Sequence, residues 1–159
     1  MKTYLENIKT KYFTIVIMFL FFSNCTNTTP LEGETQKPTI TQWHLVNVSG
    51  GISGVNIDFE LGTIIWIFDI NPNNYTDLLY VENNNEDDTI EDGLDHGPYP
   101  TSTTIAGDKI FLFVDSEEYG EFIYSNDDKL VINQNNRSNG EQGSDGYIYT
   151  FERMVVPLE

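Results

Sequence analysis

Cysteine and positive charge are both scarce in this 159-residue chain. It has one cysteine, Cys25, and 8 Lys and Arg residues against 25 Asp and Glu, which gives a net charge of −17. A lone thiol cannot form an internal disulfide, so the fold must be stable without one. So few cations cannot neutralise many phosphates, which excludes nucleic acid as the expected partner and argues against electrostatic docking on anionic lipid headgroups.

Catalytic motifs are also missing from the sequence. It contains no G-x-S-x-G, H-E-x-x-H, C-x-x-C or phosphate-binding loop, and the two histidines, His44 and His96, are far apart along the chain. We therefore predict that the protein is not an enzyme and uses no cofactor. An enzyme with a dispersed site is kept as the third alternative.

Long hydrophobic segments are limited to one run near the start, residues 12–22. A spanning helix needs roughly 20 apolar residues, whereas the apolar part of an export signal is about 7–15 residues long. Three lysines precede the run. Residues 1–24 are therefore predicted to be a signal peptide, and no transmembrane helix is expected in the mature chain, whose net charge would be −19 after loss of three lysines and one glutamate.

The sequence "FFSNC" follows this run and resembles the site where bacterial lipoprotein signal peptides are cut before a lipidated cysteine. The resemblance implies that Cys25 carries the acyl chains, palmitate among them, that hold the protein on a membrane; two or more chains anchor durably, whereas one is marginal. Thr26 follows instead of the aspartate that retains many lipoproteins at the inner membrane, which implies the outer membrane. The alternative is a free cysteine after a signal peptide or anchor.

The remainder of the chain reads as a linker followed by one all-β domain. Residues 25–39 are polar with Pro30 and Pro38, and residues 40–156 alternate apolar runs with turn signals. The expected fold is an antiparallel up-and-down barrel of about eight strands, which removes exposed strand edges; a sandwich is the alternative. The predicted strands are 43–48, 58–70, 75–82, 99–106, 109–115, 118–125, 129–134 and 146–154, with a further short strand at 89–90.

Trp43 in "TQW" and Arg153 in "TFERM" stand near the two ends of this domain. In these positions the chain resembles the small lipocalin-like (calycin-type) lipoproteins of Gram-negative bacteria, although the glycine usual two residues before the tryptophan is absent. The resemblance implies that Arg153 packs over Trp43 at one barrel end and that the barrel binds a small apolar ligand. An eight-stranded barrel can also be filled by side chains, and its aromatic residues make that alternative equally open: Trp66, Phe68, Phe111, Phe113, Phe122, Tyr147, Tyr149 and Phe151.

The densest acidic segment, residues 82–96, contains weak candidates for a metal site. Carboxylates are the ligands that calcium prefers, and His96 would add a nitrogen for a transition metal. The spacing matches no EF-hand pattern, so a solvated loop is the simpler interpretation. The candidates are Asp87, Asp88, Glu91, Asp92 and Asp95.

Together these features predict a non-enzymatic, membrane-anchored envelope lipoprotein that binds a small apolar ligand. The alternative is a filled barrel that acts as a protein-interaction or inhibitor module, with a partner that the sequence does not identify. An apolar cavity would favour the first function, and a packed interior the second.

Overall fold

The regular secondary structure in the described part of the chain consists of β-strands. The computed structural model describes residues 37–70, 77–125 and 127–158. No helix long and apolar enough to cross a membrane occurs among these residues. The strands are β1 (Thr39–Gly50), β2 (Val55–Asp58), β3 (Ile64–Asp69), β4 (Asp77–Asn83), β5 (Gly97–Ala106), β6 (Lys109–Val114), β7 (Glu117–Tyr124), β8 (Lys129–Asn133) and β9 (Tyr147–Pro157).

The sheet closes on itself through its first strand. One edge of β1 pairs with β9 from Thr39↔Pro157 to Gly50↔Tyr147. The other edge pairs first with β3 and then with the short strand β2. Every other strand pairs antiparallel with its neighbours in sequence. The result is a closed eight-stranded antiparallel barrel with one extra strand, which confirms the predicted fold class.

The barrel has two ends that differ in their connections. We call them the Thr39 end and the Gly50 end, after the first and last residues of β1. The Thr39 end carries the start of β1, the end of β9 and the β5–β6 and β7–β8 turns. The Gly50 end carries the β1–β2 turn and two long loops, the acidic loop (residues 84–96) and the outer loop (residues 134–146).

The barrel interior is filled by alternate residues of the strands, as the two-residue period of a β-strand requires. Trp66 and Phe151 are completely buried, and Tyr149 is 2% exposed. The core residues are Leu45, Val48, Ile64, Trp66, Leu79, Val81, Leu112, Val114, Leu130, Ile132, Tyr149 and Phe151.

Several strand boundaries differ from the prediction. The long strand expected over 58–70 is interrupted, because Thr63 donates a hydrogen bond to the Glu60 carbonyl at 3.1 Å in a turn that places Gly62 at φ +92°. Residues 89–90 lie in a turn and bend and form no strand. The strand β9 continues to Pro157, so Arg153 lies within it and not at its end.

Two aromatic residues expected inside the barrel face outward. Leu112 and Val114 of β6 belong to the core, so the alternating Phe111 and Phe113 point to the other side of the sheet. The predicted signal peptide, Cys25 and most of the predicted linker lie outside the described residues, and their assignments stay predictions.

Candidate functional site

The Gly50 end of the barrel is covered by the acidic loop. Leu94 packs against the core. Gly93 of this loop lies over the aromatic residues, since a methyl group added to it would be in van der Waals contact, 3.5 Å from the Tyr119 hydroxyl and 3.5 Å from the Tyr149 ring. The Glu91 carboxylate accepts a hydrogen bond from the Tyr149 hydroxyl at 2.7 Å. A segment whose composition suggested a solvated loop therefore contributes to closing the barrel.

An aromatic cluster lies directly under this loop. The ring centroids of Trp66 and Phe151 are 4.7 Å apart, and those of Trp66 and Tyr119 are 5.7 Å apart. Tyr119 stacks on Tyr149 at 5.7 Å with an interplanar angle of 25°. Offset and tilted aromatic pairs of this kind add about 0.5–1.5 kcal/mol each beyond the burial of their area. The cluster therefore fills the part of the interior that lies beneath the acidic loop.

Burial controls the protonation of the two tyrosines in this cluster. Desolvation is the main cause that raises the pKa of Tyr119 and of Tyr149 well above that of a free phenol. Both phenols therefore stay protonated at neutral pH, and Tyr149 can act as a hydrogen-bond donor to Glu91. The Trp66 Nε1 and the Tyr119 hydroxyl are buried and have no hydrogen-bond partner among the described residues, an arrangement that costs about 1–3 kcal/mol per group.

Three of the five predicted metal ligands, Asp87, Glu91 and Asp92, accept hydrogen bonds from groups within the acidic loop or beside it. Asp87 accepts hydrogen bonds from the hydroxyl and amide of Thr89, and these bonds lower its pKa. Asp92 accepts from the side-chain amides of Asn83 and Asn85 at 3.0 and 2.9 Å. A polar groove of about 340 Å³ is lined in part by Asp88, Asp92, Asp95 and His96.

No group of three or more His, Cys, Asp or Glu side chains placed to hold a metal ion is found in the described ranges. The metal site suggested by the sequence therefore stays a hypothesis. Turn formation and loop closure account for the contacts that Asp87, Glu91 and Asp92 make.

Trp43 and Arg153 lie directly opposite each other on β1 and β9. Trp43 packs edge-on against Tyr124 with ring centroids 5.7 Å apart. The Arg153 guanidinium donates to the Asp128 carboxylate at 3.0 Å, and its backbone amide donates to the Asp128 carbonyl at 3.0 Å. The register therefore brings the two residues together, and stacking of the guanidinium on the indole stays a prediction.

The two histidines lie on separate elements and do not form a pair. His44 is buried on β1, and desolvation lowers its pKa while the negative charge of Glu82 opposes this shift. Its Nε2 lies 3.3 Å from the Gln42 side-chain oxygen. His96 lines the polar groove of the acidic loop.

Sequence reasoning missed a second packed region, on the outside of the barrel. The outer loop folds back over β6 and β7, where Ser138 donates to the Glu118 carboxylate from both its hydroxyl and its amide, at 2.6 and 2.8 Å. Under it lies Glu121, which is bound by Lys109 at 3.1 Å and by Asn136. A groove of about 420 Å³ runs between this loop and the β5–β6 turn and is floored in part by Phe111. Phe111 was the available sequence signal for such a cover, because an aromatic residue on the outer face of a strand needs another segment to bury it.

Comparison with known proteins finds no matching family model, no matching curated protein and no matching solved structure.

Proposed function

We propose that this chain is an exported, lipid-anchored and non-enzymatic protein of the bacterial cell envelope, whose lipocalin-like barrel acts through its outer surface on a protein partner. The observation that carries the proposal is the filling of the barrel by Trp66, Tyr149 and Phe151, each buried to 98% or more. Because this interior is filled, the loops and outer faces of the barrel are the surfaces that can bind a partner. This function is the alternative that the sequence analysis kept open.

The arrangement of the Gly50 end supports the same proposal. Leu94 and Gly93 lie over the aromatic cluster, and Glu91 holds the Tyr149 hydroxyl. A ligand entering from this side would have to displace the acidic loop and break that hydrogen bond. The outer loop is likewise fixed by Ser138 and Arg137 on Glu118. Both loops are thereby preorganised, which lowers the entropic cost of binding a partner.

Binding of a small apolar ligand is the second candidate function, and one feature favours it. At the Thr39 end, Ile105 and Ile110 are paired across β5 and β6 on the inward face but are 75% and 41% exposed. A shallow apolar site at this end would leave the aromatic cluster undisturbed.

Native mass spectrometry of the protein purified from its own envelope in detergent distinguishes the two functions. We expect the mass of the mature polypeptide with its acyl chains and no other bound molecule, because the aromatic cluster occupies the interior. An additional mass that is lost on denaturation would favour the ligand-binding function over the filled barrel, and the identity of that molecule would name the ligand class.

The lipid anchor is tested by replacing the one thiol in the chain. Cys25→Ser should leave an unprocessed precursor that no longer incorporates a labelled fatty acid, because an alcohol cannot form the thioether that carries the diacylglycerol. The mass of the product in isolated membranes is the measurement. Thr26→Ser is the matched control and should be processed normally. The same mature, fatty-acid-labelled product from Cys25→Ser would contradict the anchor.

A further inference from the structure

The Thr39 end of the barrel exposes apolar side chains that would normally be interior. Ile110 lies two residues before the core residue Leu112 on β6, so it occupies the same inward face, and Ile105 is its partner on β5. Tyr124 and Val155 lie on the inward faces of β7 and β9 by the same alternation. These four residues and Ile70 are between 41% and 75% exposed. We call this set the apolar rim.

The apolar rim exists because the two barrel ends are built differently. At the Gly50 end, the acidic loop lies over the interior with Leu94 against the core. At the Thr39 end, β5 and β6 are joined by a two-residue turn, which is too short to cross the barrel. Rows of inward-facing side chains therefore run out to the edge of the barrel. Contiguous exposed apolar residues of this kind mark interaction sites in soluble domains.

Charge is distributed unevenly between the same two ends. Four of the five basic residues in the described ranges lie at or near the Thr39 end, and Arg137 alone lies in a Gly50-end loop. The acidic loop by itself has six carboxylates. The Thr39 end also has aspartates, so its charge is nearly balanced and not positive. Its charged residues are Lys37, Asp69, Asp77, Asp108, Lys109, Asp127, Asp128, Lys129, Glu152 and Arg153.

The chain also enters the barrel at the Thr39 end. Cys25 precedes Lys37 by 12 residues, and a fully extended segment of that length reaches at most about 40 Å. An anchor at Cys25 would therefore attach the barrel to the bilayer through this end. The strongly acidic Gly50 end would be repelled by anionic headgroups and would face away.

We propose that the Thr39 end is a membrane-contact surface, in which the apolar rim rests in the interfacial region of the bilayer that holds the anchor. This proposal depends on the lipid anchor of the proposed function. The net charge of the whole chain argued against docking on anionic lipid headgroups. The proposal revises that expectation, because the repulsion originates mainly at the Gly50 end. A barrel oriented in this way presents the acidic loop and the outer loop to partners.

The test uses single-cysteine reporters at the two ends. Once Cys25 carries its lipid, an introduced cysteine is the only free thiol. Ile105→Cys and Ile52→Cys are matched, because both replace an exposed isoleucine, 75% and 87% exposed, at opposite ends. Each lipidated full-length protein is labelled with a polarity-sensitive fluorophore and reconstituted into phosphatidylcholine vesicles with and without a spin-labelled lipid. Flotation of the vesicles reports anchoring in the same sample.

We expect the probe at position 105 to shift to the blue on reconstitution and to lose emission to the spin-labelled lipid, and the probe at position 52 to do neither. Equal, water-like emission at both positions in protein that floats would overturn the contact surface and leave the anchor intact. A blue shift at position 105 that the spin-labelled lipid does not quench would also overturn it, in favour of protein contact at the rim. Protein that does not float would overturn both the anchor and the contact surface.

Discussion

Trp66→Ala is expected to lower the free energy of unfolding by about 3–5 kcal/mol, the usual cost of truncating a fully buried large aromatic side chain. Trp66 is 0% exposed, and its ring packs against Phe151, Tyr119 and Phe68 with centroids 4.7–6.3 Å apart. Removal of the indole leaves a void that rings held on separate strands cannot all move to fill. Urea unfolding followed by far-UV circular dichroism measures the change.

Trp43→Ala is the control for this prediction. Trp43 is only partly buried and packs on Tyr124 near the Thr39 end, so water can replace its side chain and the loss should be smaller. The Trp66→Ala protein should also gain thermal stability from added indole, whereas the wild type should not, since its interior is full. Equal losses from the two variants, or stabilisation of the wild type by indole, would mean that the interior has space for a ligand.

The barrel could be predicted from the sequence because its determinants are local. The alternation of apolar Tyr149 and Phe151 with polar Thr150 and Glu152 specifies a strand and its inward face, and turn residues separate the strands at short intervals. Closure follows from joining such strands in a meander, because β1 and β9 would otherwise expose free edges.

The covering of the barrel could not be predicted, because it depends on contacts between residues far apart in the chain. Glu91 and Tyr149 are separated by 58 residues, and no local pattern shows which of the six carboxylates in the loop accepts a hydrogen bond from a buried tyrosine. Ile90 and Leu94 are the two apolar side chains in this polar segment, too few to show a periodicity. The outward position of Phe111 was missed for a related reason. An apolar residue in a strand is expected to face the interior, and the outer loop that covers Phe111 on the outer face of β6 is distant in sequence.

The asymmetry between the ends arises from the topology. Lys109, Lys129 and Arg153 span 44 residues of the sequence, but an up-and-down barrel returns every second connection to the same end. The net charge read from the sequence is correct, but the conclusion that the domain as a whole avoids anionic lipid is incomplete. Where the charges lie decides which face of the domain lipid can approach.

Gly120→Ala is expected to be a strongly damaging glycine substitution within the barrel wall. Gly120 lies where the register of β6 and β7 shifts, and its φ is +153°. A Cβ at this position would lie 2.8 Å from the Asn133 carbonyl oxygen, a backbone atom that a side-chain movement cannot displace. Asn133 ends β8 and leads into the outer loop, so relief of this contact would have to move the start of that loop.

Gly97→Ala is the matched control, because Gly97 has nearly the same φ, +154°, and a Cβ there would meet no atom within 4 Å. Both variants incur backbone strain of about 1–3 kcal/mol. Gly120→Ala should lose about 1–3 kcal/mol more through the steric overlap, as measured by urea unfolding. It should also speed amide hydrogen exchange in the outer loop, which Gly97→Ala should leave unchanged. Equal losses would show that backbone strain alone requires glycine at position 120, and that the outer loop is not held in place by the close approach of β7 and β8.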